Sequence, residues 1–361
     1  MQNFTEKTKM LFDYLSNALF QELTSSEELN LNLVAEDQSY LRLNNSKVRQ
    51  ATHVEQTEIA LTLQQNGKTS KSAFQTSGQI DVDLISARSL LARLRQEVVS
   101  LPTDPYQVPM ENRGSSEKIY TGKILPAEKA IQLLTTLTEG TEFTGLYAAG
   151  PMIRANKNSK GQSHWFSTES FFIDYSLYTV NSSNENKAVK AVYSDTNWNE
   201  QDFLCSFQNA KNQLNLLKKP SKKVSPGHYK TYLAPAASDD IFGMLSWGAL
   251  SYSGYKRGIC PFQKLQDGEE KLSPMLNVKE NFSLGIVPQF NSLGEVAPIE
   301  LPLIENGQLK NFLISARTAK EYNVVSNGAD SSAWFGEYLR CPEVSAGTLE
   351  EKNILKELGT G

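Results

Sequence analysis

Strict alternation of apolar with polar residues is the feature that most restricts the fold near the amino end. A set of aliphatic residues there recurs at a spacing of two, namely Leu29, Leu31, Leu33, Leu41, Leu43, Ile59, Leu61 and Leu63. Because successive side chains of a strand point to opposite faces, this spacing predicts strands with one buried face. Asn66-Gly67 supplies the positive-φ residues of a tight hairpin turn before a further strand over residues 69–74. An antiparallel sheet is therefore expected.

Two amphipathic helices flank these strands. Apolar residues at three- and four-residue spacing place one face of the first helix together: Leu11, Phe12, Leu15, Leu19, Phe20 and Leu23. The second helix carries Leu84, Ile85, Ala87, Leu90, Leu91, Leu94 and Val98, and it ends before Pro102. The order helix, antiparallel sheet, helix predicts the α+β class.

A second group of elements follows a proline-rich excursion over residues 102–122. The sequence predicts a third helix over 126–137 and then a strand over 145–150. A turn rich in Asn and Gly and an aromatic return strand over 165–175 come next. A strand near 189–193 and a helix near 200–217 complete this part.

Beyond Pro220 the pattern changes. A strand over 229–233 and one long helix over about 236–252 are predicted first. Short strands follow at 282–287, 299–304 and 309–314, the last two joined by the hairpin dipeptide Asn306-Gly307. This half is expected to be β-rich, as in a barrel-like or curled sheet.

The expected domain division follows from these patterns. Residues 1–222 form an amino-terminal α+β domain, with sub-segments of about 1–101 and 123–219 joined by the excursion. Residues 223–361 form a β-rich carboxy-terminal domain.

Charge and hydropathy exclude several functional classes. The formal net charge is −4, and basic residues are spread among acidic ones, so a nucleic-acid surface is not expected. The densest basic run, residues 217–223, is expected to be a solvated linker. No apolar stretch approaches the roughly 20 residues that cross a bilayer, and residues 1–7 lack a secretory signal. We expect a cytoplasmic protein that binds neither nucleic acid nor membrane.

The thiols and imidazoles do not form a recognisable catalytic or metal motif. Cys205, Cys260 and Cys341 are widely spaced without a CxxC, which predicts free thiols, mostly buried. Cys260 follows Gly258 in a loop and is the thiol most expected to be exposed, but no local base accompanies it or Cys341. None of the three histidines, His53, His164 and His228, has a partner at helical ligand spacing. His53 shares a strand face only with Glu55.

Several segments together resemble the TldD/PmbA family of peptidase-related proteins. They occur in the family's order at residues 40–51, 146–150 with 158–161, 232–237, 267–269 with 301–313 and 316–320, and 347–351 with 358–361. The third includes Tyr232-Leu233-Ala234-Pro235, which in the family introduces the metal-binding helix. The resemblance implies an α+β amino-terminal half, a β-rich half that dimerises, and a role in cytoplasmic proteolysis or peptide maturation.

The resemblance also indicates a missing metal site. In the family's catalytic branch, two His five residues apart, with a Glu beside the first, bind zinc and activate water. Here the corresponding stretch is 243–248, and its degenerate positions Gly243, Met244 and Gly248 offer neither imidazole nor carboxylate. A third ligand, a late Cys, would fall beyond residue 361, as would the closing strands. No metal is expected in this chain, and zinc is expected only in a partner subunit.

Three functional hypotheses remain open, and the first two belong to different classes. The first is a non-zinc subunit, similar to the PmbA branch, that forms a heterodimer with a zinc-bearing TldD-like homologue and holds a peptide or unfolded protein. The second is a peptide-binding or protein-binding homodimer without catalysis. Candidate peptide-binding residues are Trp165, Phe171, Trp247 and Tyr252. A metal-independent hydrolase using Cys260 or Ser238 is a third hypothesis. The family's association with DNA gyrase finds no support in this charge distribution.

Overall fold

A seven-stranded sheet organises the amino-terminal part of the chain. The structure is a computed structural model that describes residues 3–332, 334 and 336–359. The strands are β1 Glu27–Asn44, β2 Lys47–Gln65, β3 Lys68–Gln75, β4 Ser115–Tyr120, β5 Glu142–Asn158, β6 Ser163–Val180 and β7 Asn186–Asp195. Their order is β3-β2-β1-β5-β6-β4, with β7 also pairing with β6. Every pair is antiparallel except the parallel β4–β6 pair.

Four helices cover one face of this sheet in two groups. Helices α1 Phe4–Gln21 and α2 Ile80–Ser100 pack on the first core, which contains Leu29, Leu31 and Leu33 of β1. Helices α3 Ala127–Leu137 and α4 Glu200–Leu217 pack on the second, which contains Leu41 and Leu43 of the same strand. The α+β class predicted from the alternation is therefore confirmed.

Strand β1 is a single strand of 18 residues that runs through both cores, rather than two short strands. Its pairing with β5 is interrupted between Glu36 and Ser39. There, Gly150 has φ +152°, and an added Cβ would lie 2.0 Å from the Asp37 carbonyl oxygen. The buried Gln38 amide donates to the Gly150 carbonyl at 2.8 Å. Gln38 is thus a buried polar residue on the face opposite the leucines of β1, at the point where the leucine pattern lapses.

The carboxy-terminal segment, residues 223–359, is built from short elements. Its helices are α5 Pro235–Gly243, α6 Tyr252–Lys256, α7 Gln263–Gln266, α8 Ala316–Tyr322 and α9 Ile354–Leu358. Strands β8 Val278–Asn281, β9 Glu300–Glu305 and β10 Gln308–Leu309 join Pro342–Val344, which is β13, in an antiparallel sheet of order β10-β9-β8-β13. Strands β11 Ser331–Ser332 and β12 Gly336–Glu337 form a second, two-stranded sheet.

Four expectations for this segment are corrected. The predicted long helix over 236–252 is divided: α5 ends at Gly243 and a 3-10 turn occupies Met244–Ser246. Gly248, with φ +89°, breaks the helical path between this turn and α6. Residues 229–233 are irregular rather than a strand, and a 3-10 turn occupies Phe282–Leu284. Among the described residues the strands form open sheets rather than a closed barrel. Residues 360 and 361, part of one family segment, lie outside the described residues.

A hairpin over residues 290–296, here the docking hairpin, joins the carboxy-terminal segment to the sheet face opposite the helices. Four amide side chains receive it, here the amide cluster: Asn30, Asn32, Asn156 and Gln162. Three of these amides donate to the Ser292 carbonyl at 2.9–3.1 Å, and Gln162 donates to the Leu293 carbonyl at 3.0 Å. These bonds fix where the two parts of the chain meet.

Among the described residues, no helix is both long enough and apolar enough to span a bilayer.

Candidate functional site

Helix α5 occupies the place where the family resemblance puts a metal-binding helix, and it lies on the surface. It begins with Pro235 in its first turn, where the missing N–H costs no hydrogen bond. None of its residues is buried. Ile241, Met244 and Trp247, on and just after the helix, are exposed by 44%, 46% and 66%. Large apolar side chains therefore face solvent in the isolated chain.

The donor set of this helix does not fit a zinc ion. An added Cβ at Gly243 would meet nothing within 4 Å, so the position has room for a side chain but offers no ligand atom. Gly248 has left-handed backbone and lies outside the helix. Asp239 and Asp240 are consecutive and so point in different directions around the helix axis. The Ser238 hydroxyl donates to the Leu233 carbonyl at 3.2 Å, a local turn contact and not a pairing with a base.

A cavity of about 490 Å³ lies where the carboxy-terminal segment meets the sheet, and we name it the junction cavity. Strands β1, β2, β3 and β5 form one wall, and residues 287–288, 290–292, 330 and 338–340 form the other. Its charged lining residues are Lys71, Arg154, Asp330 and Arg340. A smaller cavity of about 200 Å³ continues along the sheet and shares Val34 and Arg154 with it.

Arg154 lines both cavities and, within the described residues, has no acidic hydrogen-bond partner. Its only hydrogen bond in the described part of the chain is from Nη1 to the carbonyl of Ile153, at 2.9 Å. Burial lowers the pKa of the Arg154 guanidinium, and the charge of Glu36 offsets this only in part. Glu36 itself accepts hydrogen bonds from Tyr40 and Gln56. Arginines withdrawn from water are usually paired with an acid. Because Arg154 lacks such a hydrogen-bonded partner, its guanidinium is available for an anion.

Arg340, in contrast, is a structural residue. Its guanidinium donates to the Phe290 carbonyl at 2.8 Å and the Gly328 carbonyl at 3.0 Å, and it lies 4.6 Å from the Phe282 ring centroid. Burial lowers its pKa, and Asp330 and Glu280 partly offset this. With its donors directed at backbone carbonyls, Arg340 shapes the cavity wall.

A buried carboxylate, Glu337, joins three parts of the carboxy-terminal segment. It accepts hydrogen bonds from Ser251 Oγ at 2.5 Å, from Ser253 Oγ at 3.0 Å and from Ser315 Oγ at 2.9 Å, and also from the Thr318 hydroxyl. Burial alone would raise its pKa, but these hydrogen bonds outweigh burial and leave the pKa below the usual range. No base lies among its hydrogen-bond partners, so the arrangement supports structure rather than nucleophilic catalysis.

One group of metal-ligand residues exists among those that the structure describes: Asp37, His53 and Glu55, with ligand atoms within 4.8 Å of one another. His53 Nε2 lies 2.9 Å from Asp37 Oδ1, and the imidazole is 62% exposed. The sequence identified His53 with Glu55, but Asp37 comes from the neighbouring strand, where it pairs with Glu55. We interpret an exposed group of this kind as a surface ion pair rather than as a metal site.

The thiols differ from expectation. Cys260 is buried and donates to the Ala249 carbonyl at 3.1 Å, and burial raises its pKa, so its expected exposure is wrong. Burial also raises the pKa of Cys341, to about 11. Cys205, on α4, is the exposed thiol. All three are free, as predicted.

The four candidate peptide-binding residues do not come together. Trp165 and Phe171 are 5% and 2% exposed, and they belong to the first and second cores. Both rings are packed within those cores, so neither is open to a ligand here. Trp247 is exposed. Tyr252 is half-buried, with ring centroids of Tyr255, Phe312 and Tyr322 about 6 Å away. Arg154, which faces the junction cavity, carried no sequence signal.

Comparison with known families gives a match in the carboxy-terminal part. Residues 226–361 match the family model described as the PmbA/TldA metallopeptidase C-terminal domain. No curated protein sequence matches the chain.

Solved structures resemble the whole chain. A candidate modulator of a DNA gyrase from Thermotoga maritima is 17% identical, with a TM-score of 0.74, covering 99% of this chain and 81% of that one. TldE from Thermococcus kodakarensis is 12% identical, with a TM-score of 0.72 and coverages of 96% and 80%. A candidate modulator of DNA gyrase from Bacteroides thetaiotaomicron is 15% identical, with a TM-score of 0.71 and coverages of 96% and 78%. Identities this low establish a shared fold.

Proposed function

This chain belongs to the TldD/PmbA family through its residues 226–361, and on that premise we propose that it is a non-zinc subunit. It holds a peptide or unfolded segment in the cytoplasm, while a zinc-bearing homologue activates water and cleaves. The observation that carries the proposal is α5, which has no zinc-ligand set and leaves its apolar side chains uncovered.

The surface around α5 supports association with another chain. Besides Ile241, Met244 and Trp247, further large apolar residues nearby in sequence are exposed, namely Val224, Tyr229, Tyr232, Leu233, Ile259 and Met275. Burial of apolar surface contributes roughly 25 cal/mol per Å², so covering such a surface favours association. Large exposed apolar patches are typical of protein contact surfaces, and we propose that these residues contribute to one.

The division of labour follows from the donor set. Hydrolysis by a zinc peptidase needs ligands and a carboxylate that takes a proton from water. Since Gly243, Met244 and Gly248 supply neither, the chain's own residues would bind and orient the substrate. The open cavities beside β1 and β5 provide room for this.

Co-expression with a zinc-bearing homologue from the same cell tests the proposal. We expect the two chains to co-purify, with zinc in the homologue and peptide cleavage by the pair but not by this chain. Trp247→Asp should abolish co-purification. Val99→Asp should not, because Val99 is 68% exposed on α2, which packs on the first core of the amino-terminal sheet. Stoichiometric zinc and cleavage in this chain alone would refute the proposal.

A homodimer that binds peptides without cleaving them is the second candidate. A separate apolar patch favours it: Leu146, Phe172 and Val192 are 37–47% exposed on the outward face of β5, β6 and β7. A second copy could cover that patch. Light scattering of the isolated chain distinguishes the two, since a stable homodimer that is not displaced by the zinc-bearing homologue favours this candidate.

A further inference from the structure

We propose that the junction cavity binds the carboxy-terminal residue of a peptide, with the terminal carboxylate on Arg154 and an apolar side chain in the cavity. The proposal deepens the peptide-binding role and rests on it. Three observations carry it: the unpaired guanidinium, the charges around it, and the two adjacent cavities that share Val34 and Arg154.

The guanidinium of Arg154 is the recognition element. It is partly buried at the boundary of two cavities, and within the described residues its single hydrogen bond goes to a backbone carbonyl. Its remaining N–H groups therefore lack protein acceptors. A carboxylate is the acceptor that matches the guanidinium fork, because two parallel N–H···O bonds form at once.

Among the described residues, the two cations of the cavity that have no ion pair and at most one hydrogen bond are Arg154 and Lys71. Asp330 accepts from the Ser292 backbone N–H at 3.1 Å and from the Ser292 hydroxyl at 2.8 Å. Arg340 directs its donors to backbone carbonyls. Lys71 is exposed at the rim, and no ion pair in the described part of the chain involves it. An anion would therefore meet Arg154 and Lys71 without displacing an existing ion pair.

The lining beside Arg154 is apolar and fits a side chain rather than a second charge. Val34 of β1 faces Val287, Pro288, Phe290 and Leu339 of the other wall. A volume of about 490 Å³ is at the smaller end of ligand pockets and holds one or two residues. A terminal residue with an apolar side chain fits both features, because its carboxylate binds Arg154 and its side chain contacts the apolar lining.

The smaller, adjacent cavity distinguishes a peptide terminus from a small free acid. It runs past Arg154 along Val34, Glu36 and Met152 and adds about 200 Å³. The residues that precede the terminal one would lie along this path, on the outward face of β1 and β5. A free acid would leave this second cavity unused.

Fluorescence anisotropy on the isolated chain tests the proposal. The probes are a labelled Ala-Ala-Ala-Phe peptide with a free carboxy terminus and the same peptide as its terminal amide. We expect the acid to bind at least tenfold more tightly, with a difference that shrinks as salt screens the partly buried charge. N-acetylphenylalanine is the competitor for a small-acid site. Equal binding of acid and amide would overturn the proposal, as would competition by N-acetylphenylalanine at the affinity of the peptide acid.

Substitutions test whether Arg154 is the side chain that recognises the carboxylate. Arg154→Gln should remove the acid–amide difference, and Arg154→Lys should retain part of it. Arg42→Gln is the matched control, because Arg42 is an exposed arginine of β1 away from both cavities, and it should keep the full difference. Since Arg154 has no ion pair to lose, Arg154→Gln should melt no lower than the parent. An Arg154→Gln protein that keeps the difference refutes the site.

The outcome is separable from that of the proposed function, because no zinc-bearing homologue is present in the measurement. Loss of the acid–amide difference with intact co-purification refutes only the carboxylate site. Failure of co-purification with an intact acid–amide difference refutes only the partner role.

Discussion

Replacing Gly294 by alanine adds a single carbon atom, the Cβ, at the contact between the docking hairpin and the amide cluster. Gly294 has φ +73°, and an added Cβ would lie 1.7 Å from Nε2 of Gln162 and 2.7 Å from Oδ1 of Asn156. Gln162 is 1% exposed, so its amide has little room to withdraw. The new methyl group must therefore displace this amide or the hairpin.

The magnitude follows from two contributions. Left-handed backbone costs an alanine about 1–2 kcal/mol relative to glycine. Displacing the Gln162 amide breaks its bonds to Asn156 Oδ1, at 2.5 Å, and to the Leu293 carbonyl, at 3.0 Å. Each such bond contributes about 1 kcal/mol net. We expect Gly294→Ala to lower the free energy of unfolding by about 3–4 kcal/mol.

Gly140→Ala is the matched control. Gly140 also has φ +73°, but an added Cβ there would meet nothing within 4 Å. It carries the backbone cost alone, about 1–2 kcal/mol. Urea unfolding followed by circular dichroism and tryptophan fluorescence gives both values. Equal destabilisation by the two variants would show that the amide cluster does not need the close approach of Gly294.

Three further outcomes are expected. His164 is buried, bonds Ser116 through Nδ1 at 2.8 Å and has a lowered pKa, chiefly from burial. The unfolded chain therefore binds its proton more readily, and the melting temperature should fall as pH drops below about 6.5, less steeply in His164→Asn. Glu337→Gln should cost about 2–3 kcal/mol in urea unfolding, because the amide N–H₂ faces hydroxyl donors. It should also flatten the loss of stability below about pH 4.5, since the lowered pKa of Glu337 favours the folded state only above that range. A thiol reagent should label one cysteine in the native protein, and Cys205→Ser should abolish this labelling while buried Cys260 stays unreactive until unfolding.

The amino-terminal elements could be predicted because their signal is local. The alternating leucines and Asn66-Gly67 placed β1 to β3, and the apolar spacing in residues 84–98 placed α2. The length of β1 could not be predicted, because its middle carries Gln38, whose partner Gly150 is over a hundred residues away in sequence. A buried amide with a distant acceptor cannot be told from a loop residue in sequence.

The candidate site was harder to predict from the sequence, because it too depends on residues that are far apart along the chain. The absence of zinc ligands at 243–248 is a local property of the sequence. The availability of Arg154 depends on which acids do not approach it, and its cavity is completed by Phe290 and Leu339 from the other part of the chain. The break at Gly248 was also missed, because glycine permits but does not require left-handed backbone.

The position of β1 has a consequence for how the chain can be divided. One edge pairs with β2 and the other with β5, which is synthesised nearly a hundred residues later. Until β5 arrives, or in a fragment ending near residue 101, most of that second edge offers free backbone donors and acceptors to any extended strand. Such a fragment should self-associate, and a growing chain would need shielding at that edge until β5 has left the ribosome.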